Sequence, residues 1–248
     1  KPEQFKMIGR SQPRIESREL VTGTLLYGID FDLPDMLTAA VVRAPAVGAK
    51  LVSFKKEAAA AIPGVKAIVE LPHGVAVIAT SFWPAQSARQ LLEVKWDLGA
   101  NKNMSSQEIA TQYKAALDKG TTVIKKGDTA GARKKSKEVL THEYSVPYLA
   151  HAPMEPLNCS MLAKADSCEV WVGTQYQSLD RKVVAKTLGL KPESVTINTL
   201  HMGGGFGRRA SPNEDVVLET AEIVQAIQKQ APALVGLPIK NMWAREDD

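Results

Sequence analysis

The stretch Thr199-Leu200-His201-Met202-Gly203-Gly204-Gly205-Phe206-Gly207-Arg208-Arg209 places four glycines in five positions, between a strand pattern and a helix pattern. A backbone without Cβ atoms lets its N–H groups converge on a negatively charged or oxo-bearing ligand. The two arginines that follow add charge-assisted donors suited to phosphate or carboxylate. The stretch reads as a loop against which a large anionic cofactor lies. The alternative is a tight glycine turn followed by two solvated arginines, and glycine spacing alone does not separate the two. The loop has no Gly-Lys-Ser/Thr ending, so it is not a Walker-type phosphate loop. Arg208 stands where a dinucleotide fingerprint needs its third glycine.

The pattern on both sides of the loop is α/β. Residues 195–200 alternate as a strand. Asp215 opens a helix to Gln230, with Val216, Val217, Thr220, Ala221, Val224 and Ile227 on its apolar face. Residues 239–243 form a last strand. Upstream, a helix over 178–188 turns Leu179, Val183 and Leu188 inward and stops at Gly189. Residues 161–163 and 168–172 make a hairpin. If Ala163 pairs with Cys168, Cys159 faces Val172, so Cys159 and Cys168 do not bond and serve as small packed residues. Residues 139–146 read as a strand leading into His151-Ala152-Pro153-Met154-Glu155-Pro156, where two prolines fix the backbone.

The first part of the chain, 17–98, reads as an α/β unit. Its strands fall near 37–42, 51–54, 65–70, 75–79 and 93–96, and its helices near 55–61 and 84–91. Between the two parts, 99–138 is a polar connector. Ser105 and Glu108 make a capping box there. Gly127-Asp128 and Gly131 mark turns, and Arg133-Lys134-Lys135 reads as a solvated loop.

Bulk properties narrow the function. The 248 residues carry a net charge of +4, without a basic stripe or aromatic platform, which argues against nucleic-acid binding. No apolar run approaches a membrane span, and there is no secretory signal. Two cysteines are too few for an iron–sulfur cluster, and His73, His142, His151 and His201 are isolated, so no metal site is expected from side chains.

In order, His151-Ala152-Pro153-Met154-Glu155-Pro156, Gly173-Thr174-Gln175 and the glycine loop resemble the molybdenum-cofactor subunit of the xanthine dehydrogenase/aldehyde oxidase family. Within that family, the Met-Gly-Gly-Gly-Phe-Gly-Arg-Arg form is similar to the branch of the isoquinoline 1-oxidoreductase β-chains. The opening agrees, with Ile8-Gly9, Arg14, Val21-Thr22-Gly23-Thr24, Tyr27-Gly28-Ile29-Asp30 and Pro34-Asp35-Met36-Leu37. So does the end, Trp243-Ala244-Arg245-Glu246-Asp247-Asp248.

The resemblance implies an α/β (α+β) fold: an α/β hammerhead domain at 17–98, the connector, and the N-terminal portion of a molybdopterin-binding domain at 139–248. It implies that Gly204, Gly205, Phe206 and Gly207 contact the cofactor and that Phe206 shields it from water. Arg208 would bind a cofactor phosphate, or be an ion-pair arginine. Gln175, at a strand end, would donate to the cofactor. Glu155 would accept backbone hydrogen bonds, as an orienting group or as a structural buried carboxylate. His151 is expected to pack or hydrogen-bond. Ala210 stands where another branch has a glutamate, so no purine-anchoring role carries over.

The implied activity is hydroxylation of an aldehyde or N-heteroaromatic compound with water-derived oxygen. The implied cofactor is molybdenum-molybdopterin in its cytosine dinucleotide form. Implied partners are the remaining part of the molybdenum subunit, a small [2Fe-2S] subunit and a cytochrome c acceptor. The implied location is the periplasm or the periplasmic side of a membrane, with the cytoplasm as alternative. No catalytic residue is expected in this chain. The family's general-base glutamate lies in a late loop without a counterpart here, which makes the chain either one piece of a split subunit or a truncation. Two other readings stay open: a non-catalytic assembly fragment, and a generic nucleotide-binding α/β domain. Replacing Gly205 by Val is expected to abolish cofactor loading, because valine cannot take a positive-φ conformation and its methyls fill the approach to the ligand.

Overall fold

A computed structural model describes residues 2–211 and 215–247; Asp248 of the C-terminal motif lies outside them. The strands among the described residues are β1 Leu37–Arg43, β2 Lys50–Lys55, β3 Val65–Leu71, β4 Gly74–Ala79, β5 Glu93–Asp97, β6 Asn158–Ala163, β7 Cys168–Val172, β8 Val195–Thr199 and β9 Ile239–Met242. The helices are α1 Ser17–Thr22, α2 Glu57–Ala60, α3 Phe82–Arg89, α4 Ser106–Ala116, α5 Thr129–Lys135, α6 Gln177–Leu188 and α7 Asp215–Gln230. Seven strands form one mixed sheet in the order β3-β4-β1-β9-β6-β7-β8, while β2 pairs with β5 apart from it.

Strand alternation builds two layers on that sheet. Ala39, Val41, Ala76 and Ile78 point to the face covered by Val216, Val217, Ile223 and Ile227 of α7. Their neighbours Ala40, Val77 and Ala79 point the other way, onto Ala85 and Ala88 of α3 and Ala59 of α2. Every residue of β4 is therefore buried, and its sequence is an unbroken apolar run as two-sided burial requires. Over β6, β7 and β9 the second face is covered by 27–32: Phe31 stacks on Trp171 with centroids 5.0 Å apart, and Lys240 Nζ donates to Ile29 O at 3.1 Å. Burial and desolvation lower the Lys240 pKa.

The boundary expected between 17–98 and 139–248 does not divide the sheet. β9 lies parallel to β1 and antiparallel to β6, so it welds strands of the two segments together. A charge network seals the seam. Arg43 makes two bonds to Glu219 of α7, and Glu219 also accepts from Asn241 Nδ2 and Trp243 Nε1. Arg89 of α3 reaches Asp247 and the Val41 carbonyl.

Several elements follow the sequence closely. The β6–β7 register places Cys159 against Val172 and Ala163 against Cys168. Both thiols are free, and burial raises both pKa values, that of Cys168 to about 12. Gly189 ends α6 at φ 70°, a left-handed value that costs glycine little. Ser105 caps α4 by accepting from Glu108 N at 3.2 Å, but the Glu108 carboxylate takes Gln112 instead of returning, so half of the capping box forms.

Other expectations are corrected. Residues 139–146 form no strand: they are exposed, and among the described residues no edge pairs with them. The basic run at 133–135 ends a helix rather than a loop, because Asp128 accepts from Gly131 N at 2.9 Å and nucleates α5. On α6 the buried positions are Asp180, Val184 and Ala185, with Leu179 and Val183 only half-buried. Packing against α7 and β8 turns the inner face by one position, and periodicity alone does not resolve such a shift.

Residues 120–151 are exposed almost throughout, and α5 buries nothing. Trypsin is therefore expected to cut first between Lys119 and Lys137, before any site in 158–242, because local opening there breaks few contacts. Mass spectrometry of the earliest fragments checks this. A first cut within 158–242 would contradict it.

Candidate functional site

β7 and β8 run parallel, and their C-terminal ends lie side by side. The chain leaves β7 through Gly173-Thr174-Gln175 and leaves β8 into the glycine loop, so both turns meet at the end of the sheet where α/β proteins place ligands. A third strand of chain, 152–157, crosses beside them.

Glu155 joins the three. It is almost fully buried, and each carboxylate oxygen accepts two bonds. Oε1 takes Ile29 N at 3.0 Å and Asn158 Nδ2 at 2.9 Å. Oε2 takes Gly203 N at 2.8 Å and an Arg209 guanidinium nitrogen at 2.9 Å. Arg209, 5% exposed, spreads its remaining donors over backbone carbonyls: Gly204 at 2.9 Å, Gly173 at 3.3 Å and Glu155 itself at 3.1 Å. Buried charges persist only when paired and hydrogen-bonded, and this pair is both. The planar fork of arginine supplies the divergent donors that lysine lacks. Arg209 thus clamps the loop, its guanidinium taken up by Glu155 and by the Gly173 and Gly204 carbonyls.

Close approach explains the first glycine. A Cβ on Gly203 would lie 2.5 Å from Glu155 Cβ and 3.2 Å from Glu155 N. Gly28 has the same role on the opposite side, packed against the Asn158 and Glu155 side chains.

The front of the loop is different. Gly204 and Gly207 have φ of 108° and 87°, and Phe206, a residue with a Cβ, is held at 54°. Non-glycine residues in this region store about 1–3 kcal/mol, maintained by the surrounding structure. Among the described residues, the amides of Gly204, Gly205 and Phe206 make no hydrogen bond within the chain, whereas Gly203, Gly207 and Arg208 all do. Phe206 is 74% exposed, so within this chain it shields nothing yet.

The other expected residues divide. Gln175 is in the site, but its Oε1 accepts from Gly207 N at 3.2 Å, holding the end of the loop. Arg208 is turned toward α7, with one nitrogen 2.6 Å from Asp215 Oδ2 and its guanidinium over the Trp243 ring at 5.3 Å. The ion pair that stood as the alternative for Arg208 is thus formed. Desolvation works against ionised Asp215, but the Ser211 hydroxyl and Arg208 outweigh it and leave its pKa lowered. His151 is exposed, neither packed nor part of any metal-binding group among the described residues. Arg245 of the C-terminal motif braces the site by donating to the Pro153 and Met154 carbonyls.

Sequence reasoning missed the Ile29 amide, Asn158 and the clamp role of Arg209. Gly28, beside Ile29, lies in a turn at 28–30, where the sequence does not distinguish a turn glycine from one required by close approach. A cavity of about 500 Å³ opens elsewhere, between the end of β1, the β3–β4 turn and α7, lined by Val41, Leu71, His73, Leu218 and Glu222.

A mixed α/β sheet with a glycine loop at its strand ends matches known proteins. The family model described as "Molybdopterin cofactor-binding domain" matches residues 111–239. The chain belongs to this family, as a part of the molybdopterin-binding subunits of the xanthine dehydrogenase/aldehyde oxidoreductase group. It is 30% identical over 255 residues to the β-chain of isoquinoline 1-oxidoreductase from Brevundimonas diminuta, covering 98% of this chain and 31% of that protein. It is 27% identical over 255 residues to a membrane-bound aldehyde dehydrogenase of Gluconacetobacter polyoxogenes, over 98% of this chain and 32% of that one. The crystal structure of quinoline 2-oxidoreductase from Pseudomonas putida 86 superposes with a TM-score of 0.69 at 21% identity, covering 96% of this chain and 35% of that chain. The chain thus spans about a third of the length of these relatives. Among the described residues no helix is long and apolar enough to cross a membrane.

Proposed function

We propose that this chain supplies one wall of the cofactor site of a molybdenum hydroxylase acting on an aldehyde or an N-heteroaromatic compound. The observation that carries the reading is that the amides of Gly204, Gly205 and Phe206 have no acceptor within the chain among the described residues, in a loop held by the Glu155–Arg209 clamp. The residues fit the group. Preorganised amide donors suit oxo or phosphate oxygens, and they act without reorganisation. When bound, the molybdenum centre supplies the two-electron oxidation that no side chain here provides.

In this reading the amides of 204–206 hold the cofactor, and Gln175 keeps the loop end in place through Gly207. Phe206 covers the site once the rest of the molybdenum subunit folds over it, excluding water. The general base lies outside this chain. The cytosine dinucleotide form of the cofactor, a [2Fe-2S] partner protein, a cytochrome c acceptor and a periplasmic location belong to the same proposal, supported by likeness to the isoquinoline branch.

The test is molybdenum and pterin analysis of the protein isolated from its host with whatever co-purifies. Both are expected in amounts comparable to the chain, and the chain purified alone is expected to turn over no aldehyde or isoquinoline-type substrate. An intact assembly without metal or pterin would overturn the proposal. So would micromolar binding of NAD, ATP or FAD at the loop, which would favour a nucleotide-binding domain.

A further inference from the structure

Residues 137–151 carry the alternating sequence of a strand but pair with none among the described residues; two side chains reach α4, Tyr148 Oη lying 2.7 Å from Tyr113 Oη and Glu143 accepting from Lys114 Nζ at 3.1 Å. Among the described residues they make no backbone hydrogen bond and belong to no helix or ladder. Their even positions read Leu140, His142, Tyr144, Val146 and Tyr148, an apolar and aromatic row that a strand would place on one face. Leu140, Tyr144, Val146 and Tyr148 are each at least 74% exposed, an expensive surface to leave in water. The segment runs straight into Ala152, held at φ 42°, and then into the Glu155 clamp.

We infer that residues 138–150 add as an edge strand to a sheet in the remaining part of the molybdenum-binding subunit, which covers the even-numbered face. This rests on the reading of the chain as part of such a subunit. The occupant follows from length: the relatives above are about three times as long as the region matched here, so most of their chain is available to cover this face. Pro147 sets the orientation. Along a strand the N–H groups of alternate residues point to opposite edges, and a proline in a sheet sits where its missing donor faces outward. The odd-numbered edge is therefore the open one, and the amides of 140, 142, 144, 146 and 148 make the ladder. Docking so close to Glu155 couples completion of the subunit to the glycine loop.

The experiment is hydrogen exchange at single-residue resolution on the assembled enzyme, with the isolated chain as reference. Amides of 140, 142, 144, 146 and 148 are expected to slow at least tenfold on assembly, with 141, 143 and 145 little changed. His142→Pro in the assembly should remove that protection, whereas Thr141→Pro should leave it. Both positions are exposed in the chain, so neither change threatens its fold. Uniformly fast exchange, protection in the odd phase, or equal tolerance of both prolines overturns the inference. Molybdenum content of the same sample is a separate result. Protection without metal keeps the strand and removes the cofactor reading; metal with fast exchange at 138–150 does the reverse.

Discussion

Arg209→Ala is expected to destabilise the fold by about 3–5 kcal/mol, the cost of breaking a buried ion pair by removing one partner. The substitution leaves Glu155 with three donors, from Ile29, Asn158 and Gly203, so its charge is not wholly orphaned. It also strips the Gly173, Gly204 and Glu155 carbonyls of their shared donor, and each buried acceptor left unmade costs about 1–3 kcal/mol. For a domain of this size the melting midpoint should fall by roughly 6–20 °C. Arg209→Lys restores the charge but not the fork, and should recover only part of the loss. Thermal unfolding of the three proteins checks this. A midpoint for Arg209→Ala within about 2 °C of the parent would mean that the clamp does not hold the loop.

Gly205→Val should leave the fold nearly intact and remove at least nine-tenths of the molybdenum from the assembled enzyme. The reason differs from the one the sequence suggested. Gly205 does not have a positive φ; Gly204, Phe206 and Gly207 do. A Cβ at 205 would instead meet Gln175 Oε1 at 2.6 Å, Gln175 Cδ at 3.0 Å and Met202 Sδ at 3.3 Å. These are the ends of flexible side chains and can move away, at a cost of about 1–2 kcal/mol including the displaced bond from Gly207 to Gln175. In the proposed reading the added methyls then stand within the loop whose three amides receive the cofactor. Metal analysis and circular dichroism on one preparation separate the effects. A folded variant with full molybdenum occupancy would refute the role of the loop.

Much of the local structure was legible in the chain because it rests on neighbours in sequence. The limits of α7, the hairpin register that keeps Cys159 and Cys168 apart, and the left-handed stop at Gly189 all follow from periodicity and backbone preference over a few residues. The glycine loop was legible as a candidate site for the same reason. What misled was similar in kind. Residues 139–146 alternate as a strand should, yet alternation states only which face is apolar and says nothing of whether an edge is present to pair with it. Arg208 and Arg209 are adjacent and chemically identical, but one pairs with Asp215 at the surface of α7 while the other is buried on Glu155.

The sequence by itself determined the strands and helices that reach the site, the four glycines of the loop and the membership of the motifs that surround it. Only the tertiary structure decided that β9 inserts between β1 and β6 and makes one sheet of two segments. It alone brought Ile29 to Glu155 across 126 positions of chain, and Glu155 to Arg209 across 54. The physical reason is that a buried carboxylate must collect its donors from whatever backbone the packing brings near. Such partners are chosen by burial and geometry, and leave no period or spacing in the sequence to be read.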